Sequence, residues 1–160
     1  MDPRVAPLAE MLRLNTKLAR NCLDALTESQ ARHRPAPTAN SAAYVAAHMV
    51  ESRYYILSVL GADATSPFAD QVGWKSIDEI PELPSIERIE AAWAEVSSLV
   101  DRTLRDLTAA QLDTPHPTEM PTETKTKLGH LAFMVQHDSY HLGQLSLLRK
   151  SAGLPAMSYS

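Results

Sequence analysis

The sequence holds a single cysteine, Cys22. One thiol cannot close an internal disulfide, so the fold depends on its core, and the usage agrees with a reducing compartment. No apolar run approaches the ~18 residues that a membrane-spanning helix needs. The opening Met1-Asp2-Pro3-Arg4 lacks the apolar centre of a secretory signal, so a cytoplasmic location is expected. A basic surplus is missing too: 15 Lys and Arg stand against 19 Asp and Glu, scattered along the chain, for a formal net charge of −4. Nucleic-acid binding rests on a basic footprint and membrane adsorption on a basic amphipathic helix. Neither is present, which leaves a small-molecule substrate as the expected partner. Glycine is scarce, with five residues, and Asn-Gly and Asp-Gly pairs are absent. With few β-branched runs, the chain offers little from which to build a sheet.

What the chain does have is proline. Eleven prolines fall in clumps, at 3 and 7, at 35 and 37, at 67, 81 and 84, at 115, 117 and 121, and at 155. Four Pro-free stretches remain, 8–34, 38–66, 85–114 and 122–154. Proline costs ~3 kcal/mol inside a helix, so this confinement predicts helices between the clumps. Apolar residues recur at steps of three and four in each stretch, as in Ile86, Ile89, Trp93, Val96, Val100, Leu104 and Leu107. The second helix is expected over 41–60, ending at Gly61, and the fourth over 125–150, ending near Gly153. At 160 residues, with 44% hydrophobic and 21% charged, the chain fits one all-α domain over 1–160, a four-helix bundle.

Two short motifs echo each other. Thr27-Glu28-Ser29-Gln30 and Thr108-Ala109-Ala110-Gln111 both read as capping boxes that start an extra turn after a long helix. Helices one and two, and three and four, therefore resemble two related antiparallel hairpins. The 24-residue segment 61–84 is long enough to run the length of the bundle, leaving helices two and three parallel.

Six histidines supply the reactive side chains. His33 and His116 fall in Pro-rich loops and are expected to be solvated. His137 and His141 stand four residues apart on the fourth helix, one turn apart on one face, where they can chelate a single ion. Both sit near the apolar stripe, and burying two imidazoles without an ion or partner is costly. No Asp, Glu or His follows His141, and Asp138 stands where a zincin-type motif needs Glu, so the third ligand comes from upstream. His48 lies near the middle of the second helix, and the pair brackets the middle of the fourth. Mid-helix residues meet at one depth whichever way the helices run. His130 is seven residues before His137, about 10 Å along the axis at ~1.5 Å per residue, too far to share an ion with both. The expected metal ligands are thus His48, His137 and His141. Three neutral imidazoles leave open positions, as catalytic sites do, and suit zinc, nickel, iron or copper without choosing among them. No Glu-x-x-His pair occurs, which disfavours a di-iron site.

The run His137-Asp138-Ser139-Tyr140-His141-Leu142-Gly143-Gln144, the Leu147-Leu148-Arg149 helix end, and the segment from Asn40-Ser41 through His48 to Glu51, Ser52 and Arg53 resemble the DinB/YfiT-like superfamily. The resemblance implies a four-helix bundle, often dimeric, with a divalent metal on three histidines, and His48, His137 and His141 occupy the matching positions. Many relatives carry a further histidine one turn before the pair, where this chain has Met134. Some relatives are thiol S-transferases that use a low-molecular-weight thiol, one isomerises maleylpyruvate, and others are described as metal-dependent hydrolases or stress-linked proteins. The resemblance therefore implies a thiol transferase-like or hydrolase-like enzyme acting on a small electrophile. The alternatives are a non-catalytic protein braced by the metal, or a bundle whose histidines only pack. Around the triad, Gln144 can orient His141 or serve packing, and Glu51 can be a fourth ligand, a proton acceptor or a surface carboxylate. Asp138 can act as a base or hold an imidazole, but its angular offset from the pair favours a surface role at the stripe edge. Tyr44, Tyr54, Tyr55 and Tyr140 can line a pocket or pack, Cys22 is expected to fill core space, and Trp74 suits a lid or a dimer contact.

Overall fold

The computed structural model describes residues 1–118 and 120–159. Four long helices, α1 (Ala6–Leu23), α3 (Ala42–Leu60), α4 (Ile86–Asp106) and α6 (Lys127–Ser151), carry the fold. Two short ones, α2 (Glu28–Arg32) and α5 (Ala109–Leu112), follow α1 and α4, and a 3₁₀ turn covers Ile77–Glu79. No strand occurs among the described residues, only an isolated bridge between Pro115 and Thr126. Among the same residues, no helix is long and apolar enough to cross a membrane.

Local chemistry sets the boundaries. Ser41 Oγ accepts from Tyr44 N at 3.2 Å and starts α3. At its other end Gly61 takes φ +87°, a conformation that costs a residue without a Cβ little. Both capping boxes form: the Thr27 and Thr108 hydroxyls accept from Gln30 N and Gln111 N at 3.2 and 3.3 Å, and the glutamine carbonyls accept in return. Each box starts a short helix after a long one, as expected.

α1 packs against α4 and α6, and α3 packs against the same two. The consecutive long helices α1 and α3 therefore face each other across a diagonal, as do α4 and α6. Here the structure departs from the two side-by-side hairpins expected from the capping echo. The stretches 24–41 and 107–126 are long enough to span a diagonal, and α2 and α5 lie on α3 and α6 at the ends. The directions agree with expectation. Arg53 reaches Ser97, while Ala46 and Met49 share a cavity wall with Ile89 and Trp93, so α3 and α4 run parallel. Arg53 meets Asp138 and His48 meets His141, so α3 and α6 run antiparallel. The crossover 61–84 straps the bundle lengthwise, pinned by buried Phe68 and Val72 and by Tyr44 Oη donating to Lys75 O at 3.0 Å.

The core is one continuous cluster that includes Leu12, Met49, Leu57, Trp93, Leu104, Leu131 and Leu145. Truncating such a leucine to alanine costs ~2–5 kcal/mol, from lost transfer energy and the cavity left behind. That rigid core fixes the height and rotation of the helices that carry the histidines.

Candidate metal centre

α3 supplies His48, and one turn of α6 supplies His137 and His141. Ring centroids lie 5.4 Å apart for His48 and His137, 4.7 Å for His48 and His141, and 4.4 Å for His137 and His141. One ring nitrogen from each residue falls within 4.8 Å of the other two. His137 Nε2 and His141 Nε2 are 3.1 Å apart. Two nitrogens bound tetrahedrally at ~2.1 Å would be separated by about 3.4 Å, so the pair is already near ligating distance.

The electrostatics suit a cation. Burial, with the nearby His141 and His137, pushes His48 down to about 4. His137 and His141 are also pushed below the ordinary histidine value, chiefly by burial. All three rings are neutral at pH 7, the form that offers a lone pair. The Nδ1 atoms of His48 and His137 are buried without a hydrogen-bond partner. Gln144 Oε1 accepts from His141 Nδ1 at 2.7 Å, and its amide nitrogen donates to Tyr140 Oη at 3.2 Å. With the proton held on Nδ1, the His141 lone pair sits on Nε2, toward His137. An all-nitrogen donor set fits a borderline divalent ion.

A polar layer lies just beneath the triad. The side chains of Arg53 and Asp138, 1% and 2% exposed, pair at 3.0 Å. Arg53 also donates to Thr16 Oγ1 at 2.6 Å, Ser97 Oγ at 2.9 Å and Leu12 O at 3.0 Å, with its guanidinium 4.0 Å from the Trp93 ring centroid. Asn15 Nδ2 donates to Asp138 Oδ2 at 3.0 Å and Ser139 Oγ at 2.9 Å. All four long helices are joined at this level. Asp138 is therefore not the solvent-facing residue its offset suggested. Met134, Asp138, Leu142 and Leu145 form the buried centre line of α6, and the histidine pair flanks it. Arg53 entered the sequence reading only as part of the resemblance and was given no role, although a signal existed: it and Glu51 are the only Asp, Glu, Lys or Arg in a predominantly apolar helix.

The other sequence candidates separate. Glu51 is buried and hydrogen-bonded to Ser66 of the crossover, outside the ligand cluster, and burial raises its pKa. His33 is exposed, as expected. His116 is half-buried rather than freely solvated: its ring meets that of buried His130 at 4.3 Å. The Pro115–Thr126 bridge and His116 N donating to Lys125 O at 3.2 Å fold that loop back onto α6. His130 stays out of the triad, as its spacing predicted. Tyr44 stacks on His48, Tyr140 meets His141 edge-on, and Tyr55 meets Trp74, whose own ring touches His48. Tyr54 and Cys22 are buried in the core.

Fold and site together define an all-α bundle with a three-histidine cluster shared between two antiparallel helices. The family model of the DinB superfamily matches residues 11–145, and the chain belongs to that superfamily. It is similar in structure to a DinB-like protein from Bacillus cereus, with a TM-score of 0.75 and 21% identity over 96% of each chain. A conserved protein from Enterococcus faecalis is similar at a TM-score of 0.70 and 17% identity, over 91% of this chain and 95% of that one. No curated protein matches.

Proposed function

We propose that His48, His137 and His141 hold one divalent metal ion, zinc, nickel or iron, and that the protein is a metal-dependent enzyme acting on a small electrophile. Thiol S-transfer and hydrolysis are the two reactions in view, the first with a low-molecular-weight thiol as co-substrate. The reading is carried by one observation: three imidazoles converge from two helices with one ring nitrogen of each within 4.8 Å of the others. Such an ion, when bound, supplies Lewis acidity toward a thiol, a water or a carbonyl group. The chain's own contribution is positional. Gln144 holds the His141 tautomer, the Arg53–Asp138 layer fixes α3 against α6, and the rings of Tyr44 and Trp74 wall His48.

Elemental analysis of purified protein should find about one metal per chain, and His48→Ala should lose most of it. A metal-free preparation that zinc and nickel both fail to reconstitute would overturn the proposal. A second reading, a non-catalytic protein braced by its metal, draws on the same placement, because the triad ties α3 to α6. Under that reading chelation lowers the melting temperature, while thiol and electrophile screens show no metal-dependent turnover.

A further inference from the structure

A pocket of 280 Å³ adjoins the triad, lined by Tyr55, Trp74, Met120, Phe133, Met134 and His137. His137 belongs to both the pocket wall and the ligand cluster. Trp74 meets His48 at 6.1 Å and Tyr55 at 5.3 Å between ring centroids, so the crossover's indole borders both the pocket and the triad. A group seated in the pocket therefore lies against His137. The lining is aromatic and thioether apart from His137, and among the described residues none that lines it is charged. Trp74 is 66% exposed despite these ring contacts, leaving indole surface for a ligand to cover. At 280 Å³ the volume falls just below the roughly 300 to 1,000 Å³ of drug-sized ligand pockets, which suits a small group. Two methionines can adapt to a flat ring. By contrast, the hollow lined by Arg20, Asn21, Asp24, Glu90 and Ala94 shares no residue with the triad.

We infer that this pocket receives an uncharged aromatic group of the substrate, with the polar reacting atom directed at the triad. The inference rests on the triad being the reacting centre, and it narrows the substrate class to neutral, ring-bearing electrophiles of one or two rings. In the metal-free protein a carboxylate or phosphate seated there would shed water without meeting a cationic partner in the lining.

The test is titration of metal-free and zinc-loaded protein with 2-naphthol and 2-naphthoate, which share a ring system and differ in charge. Calorimetry gives the affinity, and tryptophan emission reports contact. Saturable 2-naphthol binding is expected, with an emission change that Trp74→Phe removes, and 2-naphthoate should bind the metal-free protein at least about tenfold more weakly. Phe133→Lys, which puts a charge in the wall, should abolish binding. Trp74→Ala, at an exposed side chain on the crossover, should weaken it without unfolding the protein. Absent 2-naphthol binding, equal affinity of the metal-free protein for the two probes, or unchanged binding in both wall variants would overturn the inference. Because the metal-free protein is titrated as well, the pocket can fail while metal uptake stands, and metal uptake can fail while the pocket stands.

Discussion

Replacing Arg53 by methionine tests whether the layer beneath the triad sets the helix positions. The guanidinium and its partner carboxylate are 1% and 2% exposed, so water cannot take over a lost contact. In Arg53→Met, Asp138 keeps Asn15 as a donor but loses its counter-charge, and Thr16 Oγ1, Ser97 Oγ and Leu12 O each lose a donor. Stranding a buried charge costs ~3–5 kcal/mol, a large share of the ~5–15 kcal/mol that holds a domain folded. Asp138→Leu strands the guanidinium and should cost a similar amount. The double variant strands neither charge. It forfeits hydrogen bonds worth ~1 kcal/mol each, so its loss should fall well below the sum of the singles, leaving a coupling of several kcal/mol. Urea unfolding in excess chelator measures this without the added stability of bound metal. Arg53→Lys should not rescue, because a point charge cannot serve the carboxylate and both hydroxyls as the planar fork does. An Arg53→Met loss below about 1 kcal/mol, or additive singles, would refute the reasoning.

Three further expectations follow from the same geometry. The metal-free protein should lose stability as pH falls from 6.5 toward 4, because the unfolded chain binds protons that the depressed His48, His137 and His141 resist. The slope for each such group is at most ~1.4 kcal/mol per pH unit, metal affinity should fall over the same range, and acid titrations of melting temperature check both. Both ring nitrogens of buried His130 lack a partner, so His130→Leu should stabilise by about 1 kcal/mol, raising Tm by roughly 2–4 °C with metal stoichiometry unchanged. A homodimer is expected to use the outer face of α1 and α6, where Met11, Leu14, Tyr140 and Leu147 are exposed and a Cβ on Gly143 would meet nothing within 4 Å. Gly143→Arg should therefore leave the melting temperature near wild type while sedimentation reports the monomer; an unchanged sedimentation coefficient removes that face from consideration.

Helix position along the axis was legible in the sequence, and rotation about the axis was only partly so. Prolines mark where helices cannot continue, and each residue inside adds ~1.5 Å of rise. Counting from those marks placed His48 level with His137 and His141 and set His130 aside, and the structure agrees on both. Phase is less forgiving, because each residue turns the helix by about 100° and an apolar stripe is itself about that wide. The histidine pair and Asp138 both touch the stripe on α6, and only the neighbouring helices decide which lies at its centre. Asp138 took the centre because Arg53 and Asn15 supply its partners from α3 and α1, which no pattern within α6 records. The diagonal placement of α1 and α3 was hidden for the same reason, since a capping box reports on its own turn and not on the helix across the core. His116 shows the limit in a loop: its contact with His130 depends on backbone bonds across residues 115–126, for which the prolines there gave no sign. The buried Arg53–Asp138 pair occupies the centre of the stripe and joins α3 to α6 from inside. His137 and His141 accordingly sit at its flank, where His137 borders the pocket it shares with Tyr55, Trp74 and Phe133.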